Sequence, residues 1–220
     1  MISKLTILDQ DEELPAADEV LYRASDVPET HGLPVRRRAA VLMPLLRRPD
    51  GWHLLFIRRA TSDRDRHSGQ VAFPGGGHES QDRDDVDTAL REAHEEIGLA
   101  QDRVQVLTAL EPYVTVTRYR VVPVVGVIDG LHSLRLQANE VARAFTIPLS
   151  WLRRREHLSF RARDGADPAI ARRHPVIVYE PYDGETLWGA SARMTLNLLK
   201  EIDRGGIVLP ERPPTDPANA

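Results

Sequence analysis

The stretch FPGGGHESQDRDDVDTALREAHEEIGL, residues 73–99, joins a run of glycines to a segment with helical periodicity. Apolar residues recur in its second half at spacings of three and four, which predicts an amphipathic helix that ends at Gly98. Three glutamates, Glu92, Glu95 and Glu96, lie within one turn of that helix. Like charges at these spacings cost a helix about 0.2–0.5 kcal/mol per pair. A cluster that weakens its own helix favours a role in binding or catalysis.

The three carboxylates follow closely on the glycines at positions 75–77. Adjacent glutamates on a helix most often form a solvated face. The neighbouring glycines instead favour a binding site here. Glycine lets the backbone approach a ligand closely, and Mg²⁺ binds oxygen, taking a few carboxylates together with substrate phosphates. The loop and the helix together therefore predict a site for magnesium and a diphosphate.

The composition limits the class of protein. The chain has 220 residues, of which 41% are hydrophobic, and a net charge of −4, which fits one domain with a sizeable core and gives no support to nucleic-acid binding. Cysteine is absent, which excludes disulfides and thiolate chemistry. The N-terminus lacks the apolar run of a signal peptide, and no run of about 18 apolar residues occurs. We therefore expect a cytoplasmic protein without a membrane or nucleic-acid partner.

The order of predicted elements favours an α/β sandwich, in the α+β class, around a mixed sheet. We predict an N-terminal arm over residues 1–33 with one short helix, a single domain over 34–205 and a disordered tail over 206–220. Strands are predicted at 39–46 and 52–59 as a hairpin around a Pro-Asp-Gly turn, in a short segment that ends at Pro74, two or three times within 104–128, at the start of 139–154 and within 175–189. Helices are predicted at 84–97, at the end of 139–154 and at 190–203.

The segment REAHEEIGL, residues 91–99, resembles the core of the Nudix hydrolase signature, G-x5-E-x7-R-E-U-x-E-E-x-G-U, in which U is an apolar residue. This segment fills the second half of the signature completely. The first half departs from it, because Asp82 rather than a glutamate stands six residues after Gly76, and eight residues rather than seven separate Asp82 from Arg91. In the family that glutamate commonly supports the metal ligands, so the role of Asp82 is left open.

A second pattern lies before the signature. Residues 55–76, LFIRRATSDRDRHSGQVAFPGG, resemble the pattern L-L-T-x-R-S-x3-R-x3-G-x3-F-P-G-G of coenzyme A pyrophosphatases within that family. Arg59, Arg64, Gly69 and the Phe-Pro-Gly-Gly run match, with one extra residue between Arg64 and Gly69, and an isoleucine replaces the threonine. The resemblance to this subgroup covers roughly residues 35–200.

The resemblance implies an α/β/α sandwich with a central mixed sheet and a hydrolase that depends on Mg²⁺ or Mn²⁺. It implies that Glu92 and Glu96 bind the metal, with Glu95 as a further ligand or as a partner of one. Arg91 is expected to orient a carboxylate through a bidentate pair rather than to touch the substrate.

Substrate contacts are expected from both motifs. Gly75 and Gly76 are expected to bind the diphosphate, with Gly76 offering its backbone carbonyl to the metal. Arg59 and Arg64 match the subgroup pattern, and an arginine fork suits phosphate. One of the two is therefore expected to read the 3′-phosphate that distinguishes coenzyme A from dephospho-coenzyme A. The alternative is that both are surface arginines of a polar loop.

The general base that activates water is left open between two residues. One is Glu92 itself, and the other is Glu140, because related enzymes often supply one further glutamate from a downstream loop. The alternative for Glu140 is a solvated loop residue that precedes a strand.

The resemblance therefore predicts a metal-dependent pyrophosphatase that hydrolyses coenzyme A or acyl-coenzyme A to adenosine 3′,5′-bisphosphate and 4′-phosphopantetheine or its acyl form. One alternative is the same chemistry on ADP-ribose or NADH. A second is a Nudix-fold sensor that binds nucleotide without hydrolysing it, against which the three intact glutamates argue. The expected partner is a small nucleotide substrate, and the oligomeric state is left open, with a homodimer as one option.

Overall fold

The computed structural model of the chain describes residues 5–8, 37–61, 68–115, 118–131, 134–163, 165 and 175–211. Within these residues the chain forms a large mixed sheet, a small antiparallel sheet and helices on both sides of the large sheet. None of the described helices has the length and apolar content needed to cross a lipid bilayer.

The strands are β1 (Leu5–Ile7), β2 (Arg37–Arg48), β3 (Gly51–Arg59), β4 (Val71–Ala72), β5 (Gly75–Gly77), β6 (Val104–Ala109), β7 (Tyr113–Val114), β8 (Tyr119–Ile128), β9 (Val141–Pro148), β10 (Leu158–Arg163) and β11 (Val176–Tyr179). The α-helices are α1 (Asp85–Ile97), α2 (Leu149–Leu152, a single turn) and α3 (Gly189–Asp203).

The large sheet is built on the predicted hairpin. β2 and β3 pair antiparallel, with Leu45 opposite Leu54, around a turn at Pro49 and Asp50. β2 also pairs in parallel with β8, so the sheet is mixed, as predicted. The strand order is β4-β3-β2-β8-β6, with β9 beside β3, β5 beside β2 and β7 beside β8.

Alternation along the strands divides the core between the two faces of this sheet. Ala40 and Leu42 of β2 face α1, where they pack in one cluster with Ala93. Met43 and Leu45 face the opposite side, which α3 and the small sheet cover. Successive side chains of a strand point to opposite faces, so a continuously apolar strand indicates burial on both faces. The α/β/α sandwich is confirmed, and the small sheet β1-β10-β11 adds to its second outer layer.

The glycine loop differs from the prediction in one respect. The short strand β4 ends before Pro74, as predicted, but the three glycines that follow form a further strand, β5. Before Pro74, β4 pairs with β3; after it, β5 pairs with β2, with Gly75 opposite Val41. Proline has no N–H to contribute to a ladder, and the Pro74 carbonyl accepts a hydrogen bond from the Leu42 N–H at 2.8 Å. The change of partner brings the glycines beneath α1.

Helix α1 ends before Gly98, as predicted, and begins one residue after the predicted start at Asp84. The Asp84 side chain caps the N-terminus by accepting a hydrogen bond from the Asp87 backbone N–H at 2.8 Å. Gly98 closes the C-terminus in the left-handed conformation, with φ of 68°, which glycine adopts without steric cost. The two caps fix where the helix begins and ends, and the core packing of its apolar side fixes the direction in which its glutamates point.

The two ends of the chain contain structure that was not predicted. β1 lies inside the predicted arm and pairs with β10, with Ile7 opposite Arg161; such short strands carry too little alternation to be recognised. The rest of the arm beyond residue 8, including the expected short helix, lies outside the described residues. At the other end, Ile207 is 6% exposed and its N–H donates to the Glu201 carbonyl at 3.1 Å. The described structure therefore extends past the predicted boundary at residue 206, and residues 212–220 lie outside the described residues.

Candidate active site

Glu96 is the buried acid of the helix. It is 1% exposed, its Oε2 accepts a hydrogen bond from the Gly75 N–H at 2.9 Å, and its Oε1 lies 3.5 Å from Nη1 of Arg59. Burial raises the pKa of Glu96 to about 7, against the opposing effects of the Gly75 N–H and the Arg59 charge. A carboxylate that is costly to bury and faces a glycine strand is characteristic of a functional site.

Glu92 lies on the same side of the helix, against the next glycine. Its side chain is 15% exposed, and burial raises the pKa of Glu92. A Cβ atom placed on Gly76 would lie 2.5 Å from the carboxylate carbon of Glu92 and from both of its oxygens. The backbone of Gly76 therefore rests directly on this carboxylate, and position 76 has no room for a side chain.

Glu95, the third glutamate of the cluster, points elsewhere. Its side chain is 54% exposed, and its carboxylate accepts a hydrogen bond from Nη1 of Arg91 at 3.2 Å. The structure thus brings Glu92 and Glu96 together at the glycine strand and leaves Glu95 at the edge of the site. Its predicted role as a metal ligand stays a prediction.

Arg91 connects the helix to the loop before it. Its Nε and Nη2 donate to Oδ1 and Oδ2 of Asp82 at 2.8 and 3.0 Å, which makes a bidentate pair. Its Nη1 donates to Oε1 of Glu92 at 3.0 Å, and its Nη2 donates to the Gly77 carbonyl at 2.9 Å. Arg91 therefore fixes the Glu92 carboxylate relative to the glycine strand, and its predicted role in the reaction stays a prediction.

Asp82 is the buried partner of Arg91. Its side chain is 2% exposed and also accepts hydrogen bonds from the Glu79 N–H and the Thr88 hydroxyl, each at 2.9 Å. The hydrogen bonds from Arg91 hold the pKa of Asp82 well below its usual range. The residue that departs from the signature is thus a fully bonded support for Arg91.

Asp82→Asn should lower the free energy of unfolding by about 3 kcal/mol at pH 7. This is the lower end of the range for breaking a buried ion pair, because Arg91 keeps its contact with Glu92. Folding lowers the pKa of Asp82 from 3.8, so its ionised form contributes stability fully above that value, and the contribution is lost as the pH falls below it. Urea unfolding of both proteins at pH 7 and pH 3 should therefore show a difference that shrinks at the lower pH.

Asp87→Asn is the matched control for this measurement. Asp87 lies in the first turn of α1 and pairs with Arg83, whose side chain is 83% exposed, and exposed pairs contribute about 0–1 kcal/mol. If Asp82→Asn and Asp87→Asn lower the free energy of unfolding equally at pH 7, the buried ion pair stabilises the fold no more than the exposed one. A deficit in Asp82→Asn that does not change with pH would point to packing rather than charge.

The segment 134–140, between β8 and β9, brings Glu140 to the carboxylates. The Gln137 N–H donates to the Glu96 carbonyl at 2.8 Å, and the Glu140 N–H donates to the Gln137 carbonyl at 2.9 Å. The charge of Glu140 adds to the effect of burial in raising the pKa of both Glu92 and Glu96, although Glu140 itself is exposed. The structure places this predicted base beside the site, and its role stays a prediction.

The predicted substrate contacts are only partly within the described residues. Gly75 and Gly76 lie against Glu96 and Glu92, as described above. Nη1 of Arg59 lies 3.5 Å from Oε1 of Glu96. Arg64 lies outside the described residues.

The rest of segment 134–140 was not predicted to lie at the site. The Arg135 N–H donates to the Ile97 carbonyl at 2.8 Å, beside the bond from Gln137 to Glu96, so this segment closes the C-terminus of α1. The segment carries no motif, and its contact joins residues that are far apart in the chain. No local signal could have indicated it.

The carboxylates of the site suit a hard divalent cation whose coordination shell is completed by water and by substrate phosphates. No group of three or more His, Asp or Glu side chains in the described ranges is arranged to hold a metal ion by itself. Mg²⁺ usually keeps several waters and is bound through one or two carboxylates plus substrate phosphates. Glu92 and Glu96 supply two carboxylates against a backbone with no side chains, and burial raises the pKa of both, so a bound cation would favour their ionised forms. These residues therefore fit Mg²⁺ or Mn²⁺.

Comparison with known proteins agrees with this geometry. The NUDIX domain family matches residues 36–172 of the chain. A protein of Salmonella paratyphi B described as "Uncharacterized Nudix hydrolase NudL" is 36% identical over 183 residues, which cover 79% of this chain and 84% of that protein. The relative from Salmonella newport carries the same description and the same figures.

A solved structure shares the fold. The Nudix hydrolase RenU from M. smegmatis superposes with a TM-score of 0.51 at 17% identity, over 80% of this chain and 91% of that chain. At this identity the likeness concerns the fold alone. Because the family match spans more than half of the chain and the relatives are 36% identical, the chain belongs to the Nudix hydrolase family and is a Nudix diphosphatase.

Proposed function

We propose that the chain is a metal-dependent pyrophosphatase that hydrolyses the diphosphate of coenzyme A or acyl-coenzyme A, giving adenosine 3′,5′-bisphosphate and 4′-phosphopantetheine or its acyl form. The observation that carries the catalytic part is the pair of largely buried carboxylates, Glu92 and Glu96, against the glycine strand. The pattern in residues 55–76 supports the substrate part, because it resembles coenzyme A pyrophosphatases. A homodimer and a cytoplasmic location stay predictions.

Each residue around the diphosphate has a separate proposed role. Glu92 and Glu96 would hold Mg²⁺ or Mn²⁺, cations that Nudix hydrolases generally use. When bound, such a cation neutralises charge on the diphosphate and lowers the barrier to attack by water. Arg91 keeps the Glu92 carboxylate oriented through its contacts with Asp82 and Gly77. Arg59, 3.5 Å from Glu96, adds positive charge beside the diphosphate.

Glu140 is proposed to take the proton of the attacking water. The new bond joins the water oxygen to one phosphorus, the anhydride P–O bond breaks, and the displaced phosphate group leaves with the bridging oxygen. Glu140 is exposed, and its charge acts on both metal-binding carboxylates. It is therefore accessible to water at the place where the phosphate would lie. Glu92 is the alternative base, but its contact with Arg91 favours a fixed role.

With Mg²⁺ or Mn²⁺ present, the protein should hydrolyse coenzyme A and acetyl-coenzyme A with a kcat/KM at least about tenfold above that for ADP-ribose, NADH and dinucleoside polyphosphates. The expected discrimination arises because a site that binds an extra substrate phosphate is left with unpaired polar groups when that phosphate is missing. Liquid chromatography of the products should show adenosine 3′,5′-bisphosphate, and a chelator should stop its formation.

The Glu96→Gln protein, purified in parallel, controls for contaminating phosphatases in this panel. ADP-ribose or NADH far ahead of coenzyme A would overturn the substrate proposal and leave the diphosphatase chemistry in place. Tight nucleotide binding without turnover of any substrate would instead support a sensor.

A further inference from the structure

A buried hydroxyl group lies on the side of Asp82 that Arg91 does not cover. It belongs to Thr88, which is fully buried near the start of α1. The hydroxyl oxygen lies 2.9 Å from Oδ2 of Asp82 and 3.0 Å from Nδ1 of His78. Because His78 directly follows β5, Thr88 connects the support of Arg91 to the end of the glycine strand.

The sequence explains why Asp82 needs a further contact. Asp82 stands where the Nudix signature has a glutamate, and its side chain is one methylene group shorter. One additional residue also separates it from Arg91. The carboxylate therefore reaches Arg91 from a different backbone position, and contacts particular to this chain must orient it. Thr88 and Arg91, which are three positions apart on one side of α1, both donate to this carboxylate.

The protons of this group follow from its chemistry. Asp82 faces the Arg91 guanidinium in a bidentate pair, which favours its ionised form, and an ionised carboxylate only accepts hydrogen bonds. The Thr88 hydroxyl therefore donates to Asp82, and its oxygen accepts from Nδ1–H of His78. The Asp84 carbonyl, 3.1 Å from the same hydroxyl, is the weaker acceptor because it carries no charge. The hydrogen bonds thus run from His78 through Thr88 to Asp82.

This series of contacts ends at a carboxylate of the site. Arg91 uses Nε and Nη2 for Asp82, and its Nη1 donates to Oε1 of Glu92 at 3.0 Å. The guanidinium is planar and rigid, so a rotation of the Asp82 carboxylate would turn Nη1 away from Glu92. The position of the Glu92 carboxylate against Gly76 therefore depends on the orientation that Thr88 gives to Asp82.

We propose that Thr88 and His78 are positioning residues for the diphosphatase reaction. They hold Asp82 in the orientation in which it fixes Arg91, and Arg91 keeps the Glu92 carboxylate in place for a divalent cation. Both residues act through Asp82 and Arg91 rather than on the reacting atoms. This inference rests on the proposed role of Glu92 as a metal ligand and does not depend on which diphosphate is the substrate.

Thr88→Val should lower the affinity for Mn²⁺, measured by calorimetric titration, and kcat on the best substrate, each by about 10- to 100-fold. This is the usual cost of losing a contact that orients a metal ligand. Valine keeps the shape of threonine and removes the hydroxyl, whereas Thr88→Ser keeps the hydroxyl and should stay within about threefold of the parent. KM should change by less than about threefold, because the substrate contacts are unaltered.

The two His78 variants test the other end of the series, and they decide the same question if Thr88→Val does not fold. His78→Asn can donate from a side-chain amide near the position of Nδ1 and should resemble the parent. His78→Ala removes the donor that orients the hydroxyl and should lower Mn²⁺ affinity and kcat by at least about threefold. Equal values for His78→Ala and the parent would exclude a role for His78.

Thr195→Val is the matched control for Thr88→Val. Thr195 is a fully buried threonine of α3, and its hydroxyl donates to the Ser191 carbonyl four residues earlier at 2.8 Å. Thr88 has the same kind of neighbour in the Asp84 carbonyl. Thr195→Val should leave Mn²⁺ affinity and kcat within about threefold of the parent. Similar losses in Thr88→Val and Thr195→Val, or in Thr88→Val and Thr88→Ser, would overturn the inference.

A measurement without metal separates this inference from the proposed function. In a chelator, hydrogen exchange of the Arg91 Nε–H, followed by NMR, should be at least about tenfold faster in Thr88→Val than in the parent. If exchange is faster but Glu92→Gln does not weaken Mn²⁺ binding, the proposed metal site is wrong and Thr88 still positions Arg91. If exchange is unchanged while Glu92→Gln weakens Mn²⁺ binding, the metal site stands and the positioning role is wrong.

Discussion

Glu96→Gln should lower kcat by at least about 10³-fold on every substrate that the protein hydrolyses. The change removes the charge of the most buried carboxylate in the site, which is the charge proposed to balance a divalent cation at the diphosphate. Glutamine has the same size and keeps an oxygen that accepts from the Gly75 N–H, so the fold should be unchanged. The measurement is kcat at saturating substrate and Mg²⁺, with circular dichroism as the check on folding.

The same variant should be at least as stable as the parent when metal is removed. Burial raises the pKa of Glu96 from 4.5 to about 7, so above pH 7 the folded protein holds a charge that the unfolded chain carries at lower cost. One pKa unit corresponds to about 1.4 kcal/mol, so Glu96→Gln should gain up to about 3 kcal/mol at pH 8 and little at pH 4, where the acid is mostly protonated in both states. Urea unfolding in a chelator at the two pH values measures this.

Two other glutamates provide comparison variants for the effect of Glu96→Gln on kcat. Glu95→Gln should be milder than Glu96→Gln, because the Glu95 carboxylate is 54% exposed and directed to Arg91. Glu156→Gln, at an exposed position outside the site, should have no effect. A folded Glu96→Gln protein with an undiminished kcat would exclude Glu96 as a metal ligand, and a larger loss in Glu95→Gln would mean that Glu95 turns inward when metal binds.

The features that could be predicted from the sequence are those with a local signal. The apolar run of β2 and the turn before β3 identify the hairpin, and the periodicity of α1 with Gly98 at its end identifies the helix to within one residue. The spacing of the signature in residues 91–99 identified the family. Each of these depends on residues that are neighbours in the chain.

The features that could not be predicted depend on contacts between distant segments. At Pro74 the chain changes from pairing with β3 to pairing with β2, and the position of this change depends on where β2 and β3 separate. Spacing places Glu92, Glu95 and Glu96 within one helical turn, but only the rotation of α1 on the sheet determines that Glu96 is buried and Glu95 is exposed. The position of Arg135 over the end of α1 is likewise a tertiary contact.

Gly76→Ala should lower kcat by about 10²- to 10³-fold with only a small loss of stability. The added methyl group would lie 2.5 Å from the Glu92 carboxylate, so that carboxylate must move, and a displacement of about 1 Å at a catalytic group can cost about 10²-fold. The clash is with the end of a flexible side chain, so the strand itself can stay in place. We expect the affinity for Mn²⁺, measured by titration, to fall together with kcat, while urea unfolding changes by less than about 2 kcal/mol.

The neighbouring glycines provide the controls for this experiment, because all three belong to one short strand. A Cβ atom on Gly77 would meet no atom within 4 Å, so Gly77→Ala should leave kcat within about threefold of the parent. A Cβ atom on Gly75 would lie 2.6 Å from Cα of Val41, so Gly75→Ala should damage the sheet and reduce stability first. If Gly76→Ala and Gly77→Ala reduce kcat equally, the requirement is for a flexible strand. If only Gly76→Ala does so, the requirement is for the Glu92 carboxylate in the position that Gly76 leaves open.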